Sequence, residues 1–353
     1  MKVVQLAIGL IGTLLAAPAT AAQFDFVALG DTAYNLPGDL PHYQRLIDTI
    51  NAADPAFTIH VGDIWGAREC NEESYRDAAT WFARYEAPVV YTPGDNEWTD
   101  CRDMRIVRAF MGVGSPEDRQ ALGEAMRFEN AFANSAYVDV LATLDTLRGV
   151  FYPGSESLGA NPMPLARQAD AGGDFPEMVE NARWTHDGVV FATVHVPGSD
   201  NDFLINDEAR ASAAQRRNRA NVAWIAETFA QAMANDAPAI VIALHAGMFT
   251  GEEGDSFTGQ AIRGGRTGPY GWIVLAIRDY AARFGKPVLL INGDFHEFTI
   301  DRPFLVDRGE GEAPLYGNIT RLQVYGAPEI RAVRVGVDTE TPWVFSFEPL
   351  YAD

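Results

Sequence analysis

Short apolar runs recur along the chain, and four of them stop at the same pair of residues. Each run has the length and composition of a buried strand, followed by a glycine that permits a turn and an aspartate at the tip. The four are 24–29 before Gly30-Asp31, 57–61 before Gly62-Asp63, 89–93 before Gly94-Asp95, and 288–292 before Gly293-Asp294. A fifth run, 239–244, ends in His245. The pattern predicts buried strands whose ends carry acidic and imidazole side chains.

Helical spacing of apolar residues separates the first three runs. One predicted helix begins near Pro41, and its apolar face comprises Leu40, Tyr43, Leu46, Ile47 and Ile50. A second helical stretch covers 74–84. Alternating strands and helices imply parallel strands joined by right-handed crossovers, which bring the carboxyl ends of the strands to one edge. Asp31, Asp63 and Asp95 are therefore predicted to meet.

The later part of the chain continues the α/β pattern and then changes. We predict a strand over 189–196, a helix over 208–235, and a helix over 272–284 that leads towards Asp294 and His296. Apolar and polar residues alternate over 321–349, which is typical of half-buried antiparallel strands. The segments 97–148 (in part), 154–183 and 247–268 lack clear periodicity, so we expect loops there that overhang the strand ends.

The first residues have the pattern of a secretory signal peptide. Lys2 is followed by a run of apolar or small residues over 6–17 and then by Ala19-Thr20-Ala21, a small-x-small cleavage pattern. The apolar run is shorter than the roughly 20 residues of a membrane-spanning helix. We expect a signal peptide at 1–21, a single domain over 22–353, a periplasmic or secreted location, and no membrane association after cleavage.

Composition limits the kinds of partner that the protein can bind and predicts the state of its cysteines. A formal net charge of −21 makes nucleic acid an improbable partner, because phosphate backbones are bound by clustered Lys and Arg. A hydrophobic fraction of 47% is ample for a large core. In an exported chain, the two cysteines, Cys70 and Cys101, are expected to form a disulfide. Oligomeric state has no signature in the sequence.

A cluster of carboxylates at one sheet edge needs a cation. A single aspartate after a strand is usually a helix cap or a turn residue, but several held together repel one another and lose hydration. His245 and His296 add two imidazoles at strand ends. We therefore expect a site for one or two divalent ions. An oxygen-rich ligand set favours Mn, Fe, Mg or Ca over Zn.

The order of these motifs resembles that of the calcineurin-like metallophosphoesterases, a superfamily that includes the purple acid phosphatases. The matching stretches, which span nearly the whole chain after the signal, are Gly30-Asp31-Thr32-Ala33, Gly62-Asp63, Gly94-Asp95-Asn96-Glu97, His245, and Gly293-Asp294-Phe295-His296. The resemblance implies an α/β fold, the four-layer αββα sandwich of two mixed β-sheets.

The resemblance also implies roles for the motif residues. Asp31 and His296 would bind one metal, Asp63 would bridge, and the other metal would be held by Asp95, His245 and Asp294. Members of the superfamily hydrolyse phosphate mono- or diesters, with a metal-activated hydroxide attacking phosphorus. A small phosphate ester is therefore the implied substrate.

Besides Asp95 and Asp294, which replace an asparagine and a histidine of the family, three positions depart from the family pattern. Ala33 stands where many members have a metal-binding histidine, and Gly66 stands where purple acid phosphatases have a tyrosine ligand. Tyr34 is an alternative ligand, although packing is the commoner role of a tyrosine. Asn96 replaces a histidine that assists the leaving group, and an amide cannot supply a proton. Asp63 and Asn96 are thus the candidate catalytic residues.

Further candidates have weaker support. Arg102, Arg263 and Arg266 lie on predicted loops near the site and are candidates for binding phosphate, although a solvated arginine is the default there. His60 and His195 are expected in the core or beside the ligands. Ser199 lacks the Gly-x-Ser-x-Gly elbow of a serine hydrolase.

Two functional hypotheses follow from these residues. The first is an exported metal-dependent phosphoesterase. The alternative is a catalytically impaired binding protein on the same fold that keeps a structural metal ion. A surface adhesion or scaffolding protein has less support, because the chain has no repeats or low-complexity stalk.

Overall fold

The computed structural model describes residues 23–66, 70–101, 115–117, 119–120, 138–203, 207–249, 268–306 and 316–352. The predicted signal peptide at 1–21 lies outside these ranges, and so do Arg102, Arg263 and Arg266. The phosphate-binding role of those arginines therefore stays a prediction. Among the described helices, none is both long enough and apolar enough to span a membrane.

The first sheet has five strands and carries three of the four Gly-Asp pairs. In spatial order they are β12 (Val344–Tyr351), β11 (Arg331–Asp338), β1 (Gln23–Leu29), β2 (Thr58–His60) and β3 (Val89–Tyr91). Strands β1, β2 and β3 are parallel, whereas β11 is antiparallel to both β1 and β12. The carboxyl ends of β1 to β3 therefore share one edge, as predicted.

The second sheet has seven strands and carries the remaining motifs. In spatial order they are β4 (Ala166–Arg167), β5 (Ala182–His186), β6 (Val189–Thr193), β7 (Ile240–Ala243), β8 (Val288–Asn292), β10 (Ile319–Gln323) and β9 (Thr299–Asp301). Strands β6, β7, β8 and β10 are parallel and the others antiparallel, so this sheet is also mixed.

Helices cover the outer face of each sheet. They are α1 (Leu40–Ala52), α2 (Glu72–Phe82), α3 (Val140–Phe151), α4 (Glu208–Ala234) and α5 (Gly271–Phe284), together with short turns at Gln168–Asp170 and Gly198–Asn201. One core lies between α1, α2, α3 and the first sheet, a second between the two sheets, and a third between the second sheet and α4 and α5. This confirms the predicted α/β fold with two mixed sheets in four layers.

Side chains alternate between these cores along each inner strand. Phe26 and Ala28 of β1 face the other sheet, whereas Val27 and Leu29 face the helices. Every one of these positions is buried, so neighbouring residues cannot exchange faces without moving the whole register. The strand ends, and the aspartates that follow them, are consequently fixed in place.

Two predictions about loops and tail need correction. The segment 154–183 contains β4 and the start of β5, in addition to loop. Within the tail, β10 lies in the second sheet, parallel to β8 and buried along most of its length. Only β11 and β12 form the expected half-buried antiparallel pair. Both faces of β10 are covered, since Ile319 packs in the core on the helix side and Leu322 in the core between the sheets, so β10 lacks the solvated face of a half-buried strand.

The predicted disulfide is present. Cys70 precedes α2, Cys101 follows β3, and their Cα atoms are 5.6 Å apart. The bond joins the two chain segments that leave the carboxyl edge of the first sheet after Asp63 and Asp95.

Candidate metal centre

The Gly-Asp turns bring the aspartates inward through an unusual backbone conformation. Asp31, Asp63 and Asp294 have φ values of 52°, 52° and 76°. Aspartate tolerates this left-handed region better than most residues with a Cβ atom. Of the four glycines, only Gly62 has a positive φ, 98°. The expectation that each glycine permits the turn is therefore wrong for the other three.

Packing explains the remaining glycines of the motifs. A Cβ atom at Gly94 would lie 2.7 Å from Asp63 N and 2.9 Å from Asp63 Cγ, and would overlap Oδ1. At Gly293 it would overlap Asp31 Oδ2. At Gly30 it would lie 2.7 Å from Val61 Cγ2. Each of these glycines makes room for a neighbouring motif.

The acidic and imidazole side chains form two groups that share one residue. Ligand atoms of Asp31, Asp63 and His296 all lie within 4.8 Å of one another, and the same holds for Asp63, Asp95 and His245. All of these side chains are buried except that of His296, which is 27% exposed. The structure thus brings together five of the six predicted ligands, and Asp63 belongs to both groups.

Backbone carbonyls fix the orientation of the two imidazoles. His245 Nδ1 is 2.8 Å from the carbonyl oxygen of Val61, and His296 Nδ1 is 3.0 Å from that of Ala327. A carbonyl oxygen only accepts, so both Nδ1 atoms carry the hydrogen. The Nε2 atoms then face the carboxylates, with His245 Nε2 2.9 Å from Asp95 Oδ1 and 3.5 Å from Asp63 Oδ1. Metal-binding histidines are commonly held in this tautomer by such a bond.

The electrostatics of the cluster fit a cation. Burial raises the pKa of Asp31 to about 7 and raises the pKa of Asp63 well above its usual range. Burial alone would lower the pKa of His245, but the neighbouring Asp63 and Asp95 raise it well above the usual value. Burial therefore disfavours the ionised carboxylates of Asp31 and Asp63, and a bound cation would offset that cost. Asp31 Oδ2 is buried without a hydrogen-bond partner among the described residues, as expected of a metal ligand.

Asp294, the sixth predicted ligand, lies beside both groups and belongs to neither. Its Oδ2 accepts a hydrogen bond from Gly247 N at 2.7 Å, and its own backbone N donates to Asp31 Oδ1 at 3.0 Å. A Cβ at Gly198 would lie 2.7 Å from Asp294 Oδ1 and 2.6 Å from Asp95 Oδ1, so these carboxylates approach each other. Its role as a ligand stays a prediction.

Tyr34 lies at the centre of the site. Its hydroxyl donates to Asp63 Oδ2 and is 2.8 Å from Asn96 Nδ2 and 2.9 Å from His296 Nε2. A Cβ at Gly66 would lie 3.2 Å from Tyr34 Cδ1, so the ring occupies the space into which a side chain at that position would extend. The hydroxyl of Tyr34 therefore lies among the predicted ligands, and its role as a substitute ligand stays a prediction.

Asn96 contacts the shared carboxylate twice. Its Nδ2 donates to Asp63 Oδ2 at 2.6 Å, and its backbone N donates to Asp63 Oδ1 at 3.1 Å. Both contacts orient the carboxylate of Asp63. Asn96 is thus placed to hold the residue common to both ligand groups.

Two residues that the sequence left without a role support the site. Glu97 is fully buried, and its two oxygens accept from Ile64 N at 2.8 Å and Gly94 N at 3.0 Å. Ser199 has a φ of 45°, and its hydroxyl is 2.7 Å from Asp95 Oδ2. Glu97 was visible as part of the Gly-Asp-Asn-Glu motif, but nothing in the sequence pointed to a contact between Ser199 and Asp95.

The other two histidines of interest lie in the core, as expected. His60 and His195 are fully buried. His60 Nδ1 accepts from Gly62 N at 3.2 Å, and burial lowers the pKa of its imidazole to about 3. His195 Nδ1 is 3.4 Å from the buried Glu180. Neither belongs to the ligand groups formed by the described residues.

Comparison with solved structures identifies the fold. No family model and no curated protein sequence matches the chain. The structure of PhoD is similar with a TM-score of 0.52 and 14% identity over 92% of this chain and 66% of PhoD, so the chain spans just under two thirds of that protein. A dimetal phosphatase from Danio rerio has a TM-score of 0.46 at 10% identity, covering 94% of this chain and 99% of its own. The anchor protein GAP50 of Plasmodium has a TM-score of 0.44 at 9% identity, covering 93% and 89%.

The likeness to PhoD shows a metallophosphoesterase-type fold. At this level of identity it says nothing of activity, and the other two likenesses are too weak to add to it. Function must be argued from the side chains at the strand edge.

Proposed function

We propose that this chain is a metal-dependent phosphoesterase that hydrolyses a small phosphate mono- or diester. The observation that supports it best is the pair of ligand groups sharing Asp63 at the carboxyl ends of parallel strands. Ligands in open α/β sheets bind at this edge, and paired metal sites joined by one carboxylate suit phosphoryl transfer.

The residues divide into two proposed ligand sets. Asp31, Asp63 and His296 would hold one divalent cation, with the hydroxyl of Tyr34 as an additional ligand. Asp63, Asp95 and His245 would hold the other, with Asp294 beside them. Because oxygen atoms dominate both sets, Mn, Fe, Mg or Ca fits better than Zn. When bound, such cations would neutralise charge on the phosphate and lower the pKa of water.

The protein itself contributes orientation. In the proposed reaction, a water oxygen bonds to phosphorus while the bond from phosphorus to the ester oxygen breaks in line with it. The ester oxygen leaves as the alcohol after taking a proton from solvent, while the attacking water returns one proton to solvent and keeps the other as a hydroxyl of the phosphate product. Asn96 would hold Asp63 through its amide rather than supply that proton, because an amide is not an acid at neutral pH.

Export is part of the proposal. The signal pattern at 1–21 supports a periplasmic or secreted location. The disulfide between Cys70 and Cys101 agrees with an oxidising compartment.

Metal content and hydrolysis measured together test the proposal. Purified protein should contain a stoichiometric divalent metal by elemental analysis and should hydrolyse p-nitrophenyl phosphate or bis(p-nitrophenyl) phosphate. Asp63→Asn should abolish turnover and weaken Mn²⁺ binding. Asp187→Asn is the matched control, because Asp187 has a similar φ of 46° and lies exposed in the turn between β5 and β6.

Two results would contradict the proposal in different ways. Protein that binds no divalent metal would disprove the ligand assignment. Protein that binds metal but hydrolyses neither ester would favour the alternative, a binding protein that retains its metal.

A further inference from the structure

A cavity of about 700 Å³ adjoins the metal centre on the side of α1 and α2. Its lining includes Tyr34, Leu36, Pro37, Leu40, Asp77 and Trp81. Tyr34 is common to the two regions, since it lines the cavity and its hydroxyl contacts Asp63 and His296.

The walls of the cavity are held in position before any ligand arrives. Leu36, Leu40 and Trp81 pack their inner sides against the core between the helices and the first sheet. Trp81 also meets Tyr43 edge-on, with ring centroids 6.3 Å apart. The loop after β1 is closed by a hydrogen bond of 2.7 Å from Asn35 N to Asp39 Oδ2. A preformed apolar wall costs a ligand less ordering than one that must assemble on binding.

The chemistry of the walls indicates what would bind there. Leucine, proline and tryptophan side chains gain free energy by covering apolar surface. The carboxylate of Asp77 is exposed at the same cavity and repels a negatively charged group. An uncharged, apolar group satisfies both conditions, whereas a nucleotide or sugar acid would lie against Asp77.

We propose that this cavity binds the alcohol portion of the substrate, and that the substrate is a phosphate ester of an apolar, uncharged alcohol. This inference rests on the proposed phosphoesterase function and specifies its substrate class. Tyr34 is the structural link, because it belongs to the lining of the cavity and its hydroxyl contacts two of the proposed metal ligands.

Alkyl phosphates of increasing length provide the test, because ethyl, butyl, hexyl and octyl phosphate release alcohols of nearly equal acidity. Each methylene that enters the cavity should raise kcat/KM about three- to fourfold. The gain should appear mainly in KM, since remote apolar contacts bind ground and transition states alike. The kcat/KM of octyl phosphate should exceed that of ethyl phosphate about 80- to 250-fold if four methylenes are covered.

Variants of the wall make the test specific. Trp81→Ala and Leu36→Ala should each reduce the ratio of kcat/KM for octyl phosphate to kcat/KM for ethyl phosphate at least tenfold. Trp343→Ala is the control, because Trp343 is 70% exposed in the turn between β11 and β12, at the opposite end of the first sheet. Two separate wall variants guard against one of them failing to fold.

Calorimetry with octylphosphonate, which is not hydrolysed, separates this inference from the proposed function. Stronger binding of octylphosphonate than of ethylphosphonate, lost in Trp81→Ala, would support the cavity. Equal binding to the native protein and Trp81→Ala would overturn it whether or not any ester is hydrolysed. A flat alkyl series in a protein that does hydrolyse phosphate esters would also overturn it, and would leave the phosphoesterase function intact.

Discussion

Replacing Gly94 by alanine tests whether the motif glycines exist to admit neighbouring carboxylates. The new methyl group would lie 2.9 Å from Asp63 Cγ and 2.7 Å from Asp63 N, and would overlap Oδ1. Carbon atoms in contact are about 3.5–4.0 Å apart, so the carboxylate must move by roughly 0.6–1 Å. Coordination bonds to oxygen are only about 2.0–2.6 Å long and do not tolerate such a displacement.

We expect Gly94→Ala to lower both stability and metal binding. Overpacking of this kind costs about 1–3 kcal/mol in the free energy of unfolding. A shift of the shared carboxylate should weaken Mn²⁺ binding at least tenfold and reduce turnover about 100-fold. Gly149→Ala is the matched control, because Gly149 lies within α3 and a Cβ there meets nothing within 4 Å. Removing a helical glycine should stabilise the protein by about 0.5–1 kcal/mol.

Urea denaturation of metal-free protein and calorimetric titration with Mn²⁺ measure the two effects separately. Metal-free protein isolates the packing cost from the loss of ligand binding. The reasoning would be refuted if Gly94→Ala had the same free energy of unfolding and the same Mn²⁺ affinity as the native protein. The close approach of Gly94 to Asp63 would then not be a constraint on the site.

Three further predictions concern the site, the disulfide and the core. Tyr34→Phe should weaken Mn²⁺ binding about 10- to 100-fold by calorimetry while leaving the fold intact by circular dichroism. Replacing Cys70 and Cys101 together by serine should lower the free energy of unfolding in urea by about 3–4 kcal/mol, given their sequence separation of 31. Because burial lowers the pKa of His60 to about 3, the unfolded chain takes up a proton below about pH 6.5 that the folded protein does not. This contribution of His60 should therefore lower the free energy of unfolding as the pH falls from about 6.5 towards 3, and His60→Asn, compared with the exposed His42→Asn, should lose that part of the pH dependence in urea titrations.

The sequence was sufficient for the fold class and for the convergence of the aspartates. Buried strands and amphipathic helices have distinct periods, and parallel strands must place their carboxyl ends at one edge. Asp31, Asp63 and Asp95 could therefore be brought together without coordinates. The shared position of Asp63 also agrees with the family resemblance, and the cysteine pair followed from redox compartment and count.

The sequence misassigned features that depend on neighbours distant in the chain. Gly94 and Gly293 looked like turn residues, but their small size is required by the carboxylates of Asp63 and Asp31. The strand β10 looked like part of an antiparallel tail, but it inserts between β8 and β9. In each case the contacting residues or strands lie far away in the chain, so the local pattern did not reveal them.

Only the tertiary structure decided how the individual ligand atoms are held. His245 is oriented by the carbonyl of Val61, a residue 184 positions earlier, and Asp95 is contacted by Ser199 from the other sheet. The sequence left Tyr34 as either a packed aromatic or an alternative ligand, and only the structure showed that its hydroxyl lies among Asp63, Asn96 and His296. Periodicity constrains which face a residue takes, because it reflects local geometry. The identity of its contacts is set by how the two sheets pack, and no local pattern encodes that packing.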